Sequence, residues 1–104
     1  NGIVYLSGQI PLDPIKMTLI SSEIEIQIKQ VFINLSHVLN EADSSLGEIL
    51  KLNVYLTNLE NFSKVNEHME KIFEKPYPAR AAIGIKELPK GALIEIDAIA
   101  AEKK

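Results

Sequence analysis

The hydrophobic period of the chain changes from helical to extended near its middle, and this change constrains the fold most. From residue 24 to residue 42, apolar side chains recur at steps of three and four, which predicts an amphipathic helix of about five turns. Residues 50–57 alternate between apolar and polar instead, which predicts a strand. A second helical pattern covers residues 62–73 and stops before Pro76. The sequence therefore predicts a domain that mixes helices and strands.

The remaining predicted elements are short strands on either side of these helices. Ser22 and Glu25 have the spacing of a capping box, which predicts that the first helix starts at Ser22. β-rich segments predict further strands at residues 3–6, 17–20, 80–86 and 93–100, the first two forming a hairpin. The predicted order is β-β-α-β-α-β-β. Right-handed crossovers would place both helices on one face of the sheet.

Length, charge and cysteine content narrow the class of protein. A chain of 104 residues suits a single domain over residues 1–104. The absence of cysteine excludes disulfides, thiolate metal sites and cysteine nucleophiles. A net charge of −3 lacks the basic excess that nucleic-acid binding normally uses, and no apolar run is long enough to cross a membrane. We therefore expect neither a membrane nor a nucleic acid as a partner.

The last predicted strand carries apolar residues on both of its sides. Ile94, Ile96 and Ala98 alternate onto one face, whereas Leu93 and Ile99 fall on the other. A strand of this kind is typically covered on both faces. Two helices on one side leave the other side open, so we expect a second copy of the chain, or residues upstream of the sequence, to cover it. The simplest assembly is a closed homo-oligomer.

Arg80 is the only arginine in the chain and begins a predicted strand. A guanidinium offers a planar fork that matches a carboxylate with two parallel hydrogen bonds, which a lysine does not do. Arg80 is therefore a candidate for binding an anionic ligand. The alternative, favoured by the residues alone, is a structural ion pair with Glu95 or with an acid of a neighbouring subunit.

Glu95 lies between Ile94 and Ile96 in the apolar last strand. Desolvation penalises an unpaired carboxylate there, so Glu95 is either paired or functional, and we keep it as a candidate base. Asp97 shares its face by the two-residue period. A second acid could assist in acid–base chemistry, but a capping or solvent-facing role for Asp97 is favoured.

Other patterns predict no chemistry. His37 and His68 fall on the predicted helices without metal-ligand spacing, so we expect surface positions for both and no metal site. The turn at residues 88–91 lacks the sequence of a phosphate-binding loop. Ser7 lacks the glycine before it that a nucleophile elbow requires, which argues against a serine hydrolase.

Three separated motifs resemble the RidA (YjgF/YER057c/UK114) family, and together they cover nearly the whole chain. Residues 5–11 read Y-L-S-G-Q-I-P and resemble its N-terminal motif, and residues 54–66 resemble its middle. Residues 78–83, P-A-R-A-A-I, followed by residues 88–100, L-P-K-G-A-L-I-E-I-D-A-I-A, resemble its C-terminal signature. The sequence opens on Asn1 rather than Met, and we expect the domain over residues 1–104 to lack the family's N-terminal segment, in which the resemblance implies an active-site tyrosine.

The resemblance implies a chorismate-mutase-like α+β fold, with two helices on one face of a mixed β-sheet, assembled as a homotrimer with clefts between subunits. It implies a deaminase that hydrolyses 2-iminobutanoate, 2-iminopropanoate and their enamine tautomers to 2-oxo acids and ammonia, with no cofactor. The implied partner is thus a small 2-imino or 2-oxo acid. The expected location is the cytoplasm, with mitochondria as the alternative.

The same resemblance assigns roles to particular residues. Arg80 would bind the substrate carboxylate, and Glu95 would activate the attacking water or carry a proton to the departing nitrogen. Ser7 and Gly8 would line the cleft, and Asn66 would support it. Backbone groups of Ala82, a position where the family often has cysteine, would bond to the imine region of the substrate.

Two other functions remain open at this point. Some relatives are called endoribonucleases or translation inhibitors, although the acidic charge and the lack of paired catalytic histidines argue against RNA cleavage. The third alternative is a ligand-binding or chaperone-like module of the same fold without turnover.

Overall fold

The computed structural model describes residues 2–103, which form one mixed four-stranded sheet and two α-helices. The strands follow the order β1-β4-β2-β3 across the sheet. Strand β4 is antiparallel to both of its neighbours, and β2 and β3 are parallel. The elements are β1 (Ile3–Gln9), α1 (Ile24–Glu41), β2 (Ile49–Leu56), α2 (Phe62–Ile72), β3 (Ala79–Gly84) and β4 (Ile94–Ala101). This architecture confirms the predicted α+β class.

The predicted return strand at residues 17–20 is wrong. This segment makes only an isolated antiparallel bridge between Leu12 and Leu19. The Asp13 carboxylate accepts the backbone N–H groups of Ile15 and Lys16, each at 2.9 Å, and thereby holds a turn in place of a strand ladder.

The capping box predicted at Ser22 is also wrong. Helix α1 begins at Ile24, and its N-cap residue Glu23 makes no side-chain capping bond. The hydroxyl of Ser21, rather than that of Ser22, accepts a hydrogen bond from the Glu23 N–H, at 3.0 Å, in the turn before the helix. Spacing alone therefore identified the region of the helix start but not the residue that closes the turn.

Both helices pack on one face of the sheet, which we call the inner face. A single core cluster joins the apolar stripe of α1, including Val31 and Leu35, to Val65 of α2. The sheet supplies its inward residues, which are fully buried: Leu52, Val54, Leu56, Ile94 and Ile96. The alternation seen in the sequence of β2 thus matches its buried and open sides.

The opposite face of the sheet, the outer face, is mixed rather than apolar. The expectation that Leu93 lies on it is wrong, because Leu93 precedes β4 and packs against the core. From β4 the outer face receives Glu95, Asp97 and Ile99, all partly exposed. On β1 it carries Tyr5, whose side chain is 76% exposed. The outer face therefore combines polar groups with exposed apolar surface.

Within residues 2–103, neither helix has the length and apolar character needed to cross a membrane.

Candidate active site

Strand β3 places Arg80 on the inner face, beside helix α2. The parallel register pairs Arg80 with the fully buried Leu52, so the two side chains point to the same side. The guanidinium donates a hydrogen bond to Asn66 Oδ1 on α2, and its Cζ lies 4.9 Å from the centre of the Phe62 ring. These contacts orient Arg80 but use only part of its five donors, and the residue is exposed. The remaining donors are available to an anion.

A cavity of about 310 Å³ opens beside this guanidinium. Its lining combines the polar pair with an apolar wall, and consists of Asn66, Met69, Glu70, Phe73, Tyr77, Pro78 and Arg80. Ala82 follows Arg80 on the same side of β3, since it pairs with the inward Val54. Arg80, Asn66 and Ala82 together form what we call the guanidinium half of the site.

Glu95 lies on the outer face of β4, directly opposite Tyr55 of β2. Its carboxylate crosses over Gly8, where an added Cβ would lie 2.8 Å from the Glu95 Cδ. A glycine at position 8 therefore leaves room for the carboxylate. The register between β1 and β4 shifts between Leu6 and Gln9, so Ser7 and Gly8 form an exposed bulge. Ser7, Gly8 and Glu95 form the carboxylate half.

The surroundings of Glu95 make its carboxyl harder to ionise than that of an exposed glutamate. Burial and, secondarily, the negative charge of Asp97 raise the pKa of the Glu95 carboxyl above its usual value. Among residues 2–103, no hydrogen-bond donor or cation contacts this carboxylate. The raised proton affinity suits a group that accepts and returns a proton.

Asp97 is not a cap: it lies partly exposed on the outer face, and both of its carboxylate oxygens are hydrogen-bonded. Its Oδ1 accepts Asn53 Nδ2 at 2.7 Å, and its Oδ2 accepts the Tyr55 hydroxyl at 2.9 Å. The hydrogen bond to Asp97 in turn raises the pKa of the Tyr55 hydroxyl. We call Asn53, Tyr55 and Asp97 the outer-face network.

Arg80 and Glu95 do not meet within this chain. Arg80 is level with Leu52 and Glu95 with Tyr55, on strands that flank β2 from opposite sides. Two inter-strand steps of about 4.8 Å and three residues of about 3.3 Å put their Cα atoms roughly 14 Å apart. Their side chains also leave opposite faces of the sheet. A structural ion pair between Arg80 and Glu95 is therefore excluded within the chain, and the guanidinium and carboxylate halves are separate.

The two histidines lie on the helices: His37 on α1 lines a surface pocket together with Gly8, and His68 lies on α2. His37 is exposed, as expected, but His68 is partly buried, with its ring centre 5.2 Å from that of Phe32. Burial, with Lys71 and Lys29 nearby, lowers the pKa of His68. Over the described range 2–103, no group of three or more His, Asp or Glu residues is placed to hold a metal ion.

Sequence reasoning missed the groups that hold Arg80 and Asp97 in place. Phe62 and Met69, which contact Arg80, appeared only as apolar positions of a helix. Tyr55 and Asn53 appeared only as outward positions of a strand. The tyrosine at an outward position beside two acids was the one available signal for the outer-face network.

Comparison with known proteins agrees with this fold. A family model described as Endoribonuclease L-PSP matches residues 1–102. The RidA crystal structure from the Antarctic bacterium Psychrobacter sp. PAMC 21119 superposes with a TM-score of 0.91 at 40% identity, covering 96% of this chain and 80% of that one. The chain belongs to the RidA (YjgF) family. The predicted family and its fold are thereby confirmed.

Other RidA-family relatives carry varied names. A protein of Dermatophagoides farinae named 2-iminobutanoate/2-iminopropanoate deaminase is 33% identical over 92% of this chain and 75% of its own length. MMF1 of Saccharomyces cerevisiae, named as mitochondrial, is 39% identical over 99% of this chain and 70% of its own. The structure of Escherichia coli TdcF with bound serine superposes with a TM-score of 0.90 at 30% identity, covering 99% of this chain and 83% of that one. The family therefore includes an imine deaminase and a member that binds an amino acid.

Proposed function

We propose that the protein hydrolyses small 2-imino acids to 2-oxo acids and ammonia. The observation that carries this proposal is the pair of halves: an exposed guanidinium beside a cavity, and a carboxylate of raised proton affinity on an open face. A protonated 2-imino acid has a carboxylate next to a cationic C=N group. Arg80 matches the first charge and Glu95 the second.

The guanidinium half would hold the substrate. Asn66 and Phe62 fix Arg80 from one side, which leaves the other edge of its fork for two parallel hydrogen bonds to the substrate carboxylate. The backbone of Ala82, two residues further along β3, would bond near the imine group. Binding in this way removes rotational freedom from the carbon that water attacks.

Glu95 would move the protons. A water oxygen bonds to the iminium carbon while one water proton passes to Glu95, which gives a carbinolamine. Glu95 then returns that proton to the nitrogen, the C–N bond breaks, and ammonia leaves. The hydroxyl proton passes to the ammonia, so that the products are a 2-oxo acid and ammonium. None of these steps calls for a cofactor.

The two halves would act on one substrate only if they come from different protomers. The outer face of each sheet exposes Tyr5 and 52% of Ile3, surface that a neighbouring copy would cover. A closed ring, for which we propose three copies, would repeat the same contact at every junction and complete each site with Glu95 of one protomer and Arg80 of the next.

The test is an assay in which threonine dehydratase generates 2-iminobutanoate and the release of 2-oxobutanoate is followed. The protein should accelerate this release, and Glu95→Gln should reduce the acceleration by about 100-fold or more, because general acid–base catalysis typically contributes that much. Glu41→Gln, at the end of α1, is the charge-matched control. No acceleration by the unaltered protein would reject the proposal.

Ligand binding without turnover is a second candidate, which the structure of TdcF with bound serine favours. Calorimetric binding of 2-oxobutanoate together with no imine hydrolysis would select it. RNA cleavage is tested with the same preparation, and cleavage that persists in Arg80→Ala after repurification would favour the endoribonuclease alternative. A cytoplasmic location stays a prediction, because the relatives include bacterial and mitochondrial proteins.

A further inference from the structure

The outer-face network lies beside Glu95 and is not used by the proposed chemistry. Asp97 follows Glu95 by two residues in β4, so both carboxylates leave the same face. Asn53 is directly opposite Asp97, whereas Tyr55 is directly opposite Glu95. The Tyr55 hydroxyl nevertheless bonds to Asp97, so its side chain reaches diagonally past Glu95. The network therefore fixes one acid and leaves the other without a donor.

The hydrogen bonds hold the Asp97 side chain in one place. Each Asp97 oxygen accepts one hydrogen bond, from Asn53 Nδ2 and from the Tyr55 hydroxyl. Neither donor carries a charge, so the negative charge of Asp97 is held in place without being neutralised. We propose that Asp97, held by Asn53 and Tyr55, is a positioning residue whose fixed charge keeps Glu95 basic enough to take a proton from water.

Among residues 2–103, the charged group that acts on Glu95 is Asp97. On β1 the neighbours are Gly8 and, further along, Tyr5. On β2 they are Tyr55 and, four residues away, Lys51, which is exposed at the other end of the strand. The inference rests on the proposed function for its catalytic meaning, but the coupling between the two acids is a property of the fold.

Asp97→Asn tests this coupling, because it removes the charge and keeps the shape. Two charges about 7 Å apart, at an effective dielectric constant of about 40, interact strongly enough to move a titration by about one pH unit. The titration of Glu95, followed by its carboxyl ¹³C shift, should therefore move down by about one pH unit. Asp97→Glu, which keeps a carboxylate at this position, should keep the Glu95 titration midpoint close to that of the unaltered protein, and Glu41→Gln should not change the midpoint.

The rate of imine hydrolysis supplies the second readout. The acidic limb of its pH profile should move down together with the Glu95 titration in Asp97→Asn. If the midpoint of the Glu95 titration is unchanged in Asp97→Asn, the coupling between the two acids is overturned. If that midpoint moves but the acidic limb of the pH–rate profile does not, the catalytic role of Asp97 is overturned. An unaltered protein without turnover withdraws the proposed function and this role together, while the ¹³C titration still decides the coupling. If Asp97→Asn fails to fold, Asp97→Ser removes the same charge with a smaller side chain.

Discussion

Replacing Arg80 with lysine separates the geometry of the guanidinium from its charge. The exposed Arg80 donates to Asn66 and lies over Phe62, and lysine keeps a cation there but lacks the planar fork. The loss of one charge-assisted hydrogen bond costs about 1.5–3 kcal/mol, which corresponds to a decrease in kcat/KM of about 10- to 100-fold. Most of this change should appear as an increase in KM if the fork binds substrate and transition state alike.

The stability of the Arg80→Lys variant should be close to that of the unaltered protein. A cation–aromatic contact at an exposed site contributes only about 0.5–1 kcal/mol, and lysine retains part of it. The assay is the coupled release of 2-oxobutanoate, with urea unfolding measured in parallel. Lys29→Arg, on the exposed side of α1, is the matched control and should change neither quantity. Kinetics of Arg80→Lys equal to those of the unaltered protein would refute the assignment of a carboxylate clamp to Arg80.

Two further predictions concern Gly8 and His68. Gly8→Ala should displace the flexible Glu95 carboxylate and lower kcat by about 10- to 100-fold, with little change in Tm. The control is Gly47→Ala, where an added Cβ meets only the Ser45 Oγ at 3.9 Å, and it should change neither kcat nor Tm. Full activity in Gly8→Ala would show that the position of the Glu95 carboxylate over residue 8 is not needed for catalysis. Because burial lowers the pKa of His68, its contribution to stability is present above pH 6.5 and is lost as the pH falls through the lowered value. His68→Phe should weaken this loss in urea unfolding between pH 7.5 and pH 5, and an unchanged pH dependence would contradict the explanation.

Much of the fold was predictable from hydrophobic period, because α1, β2 and β4 each have one buried side. The alternation in β2 and the stripe of α1 match the buried residues directly. The errors came from local side-chain bonds that compete with the pattern: Asp13 closes a turn where a strand was expected, and Ser21 rather than Ser22 bonds in front of α1. Such bonds depend on backbone geometry that residue types alone do not determine.

The two charged site residues were predictable by type, but their relation was not. Arg80 and Glu95 stand out in the sequence, yet the face that each one occupies depends on the register of β3 and β4 against β2. A shift of one residue in either register would place the side chain on the other face. The contact between Tyr55 and Asp97 depends on the same register, which joins residues 42 positions apart.

The most direct test of a site shared between protomers is to assemble Arg80→Ala and Glu95→Gln chains together. Each variant alone should be nearly inactive in the 2-oxobutanoate assay. In assemblies formed from equal amounts, about a quarter of the junctions would join an intact Arg80 to an intact Glu95, so about a quarter of the unaltered activity should return. Mixed assemblies no more active than the two variants measured separately would contradict a site built from two protomers.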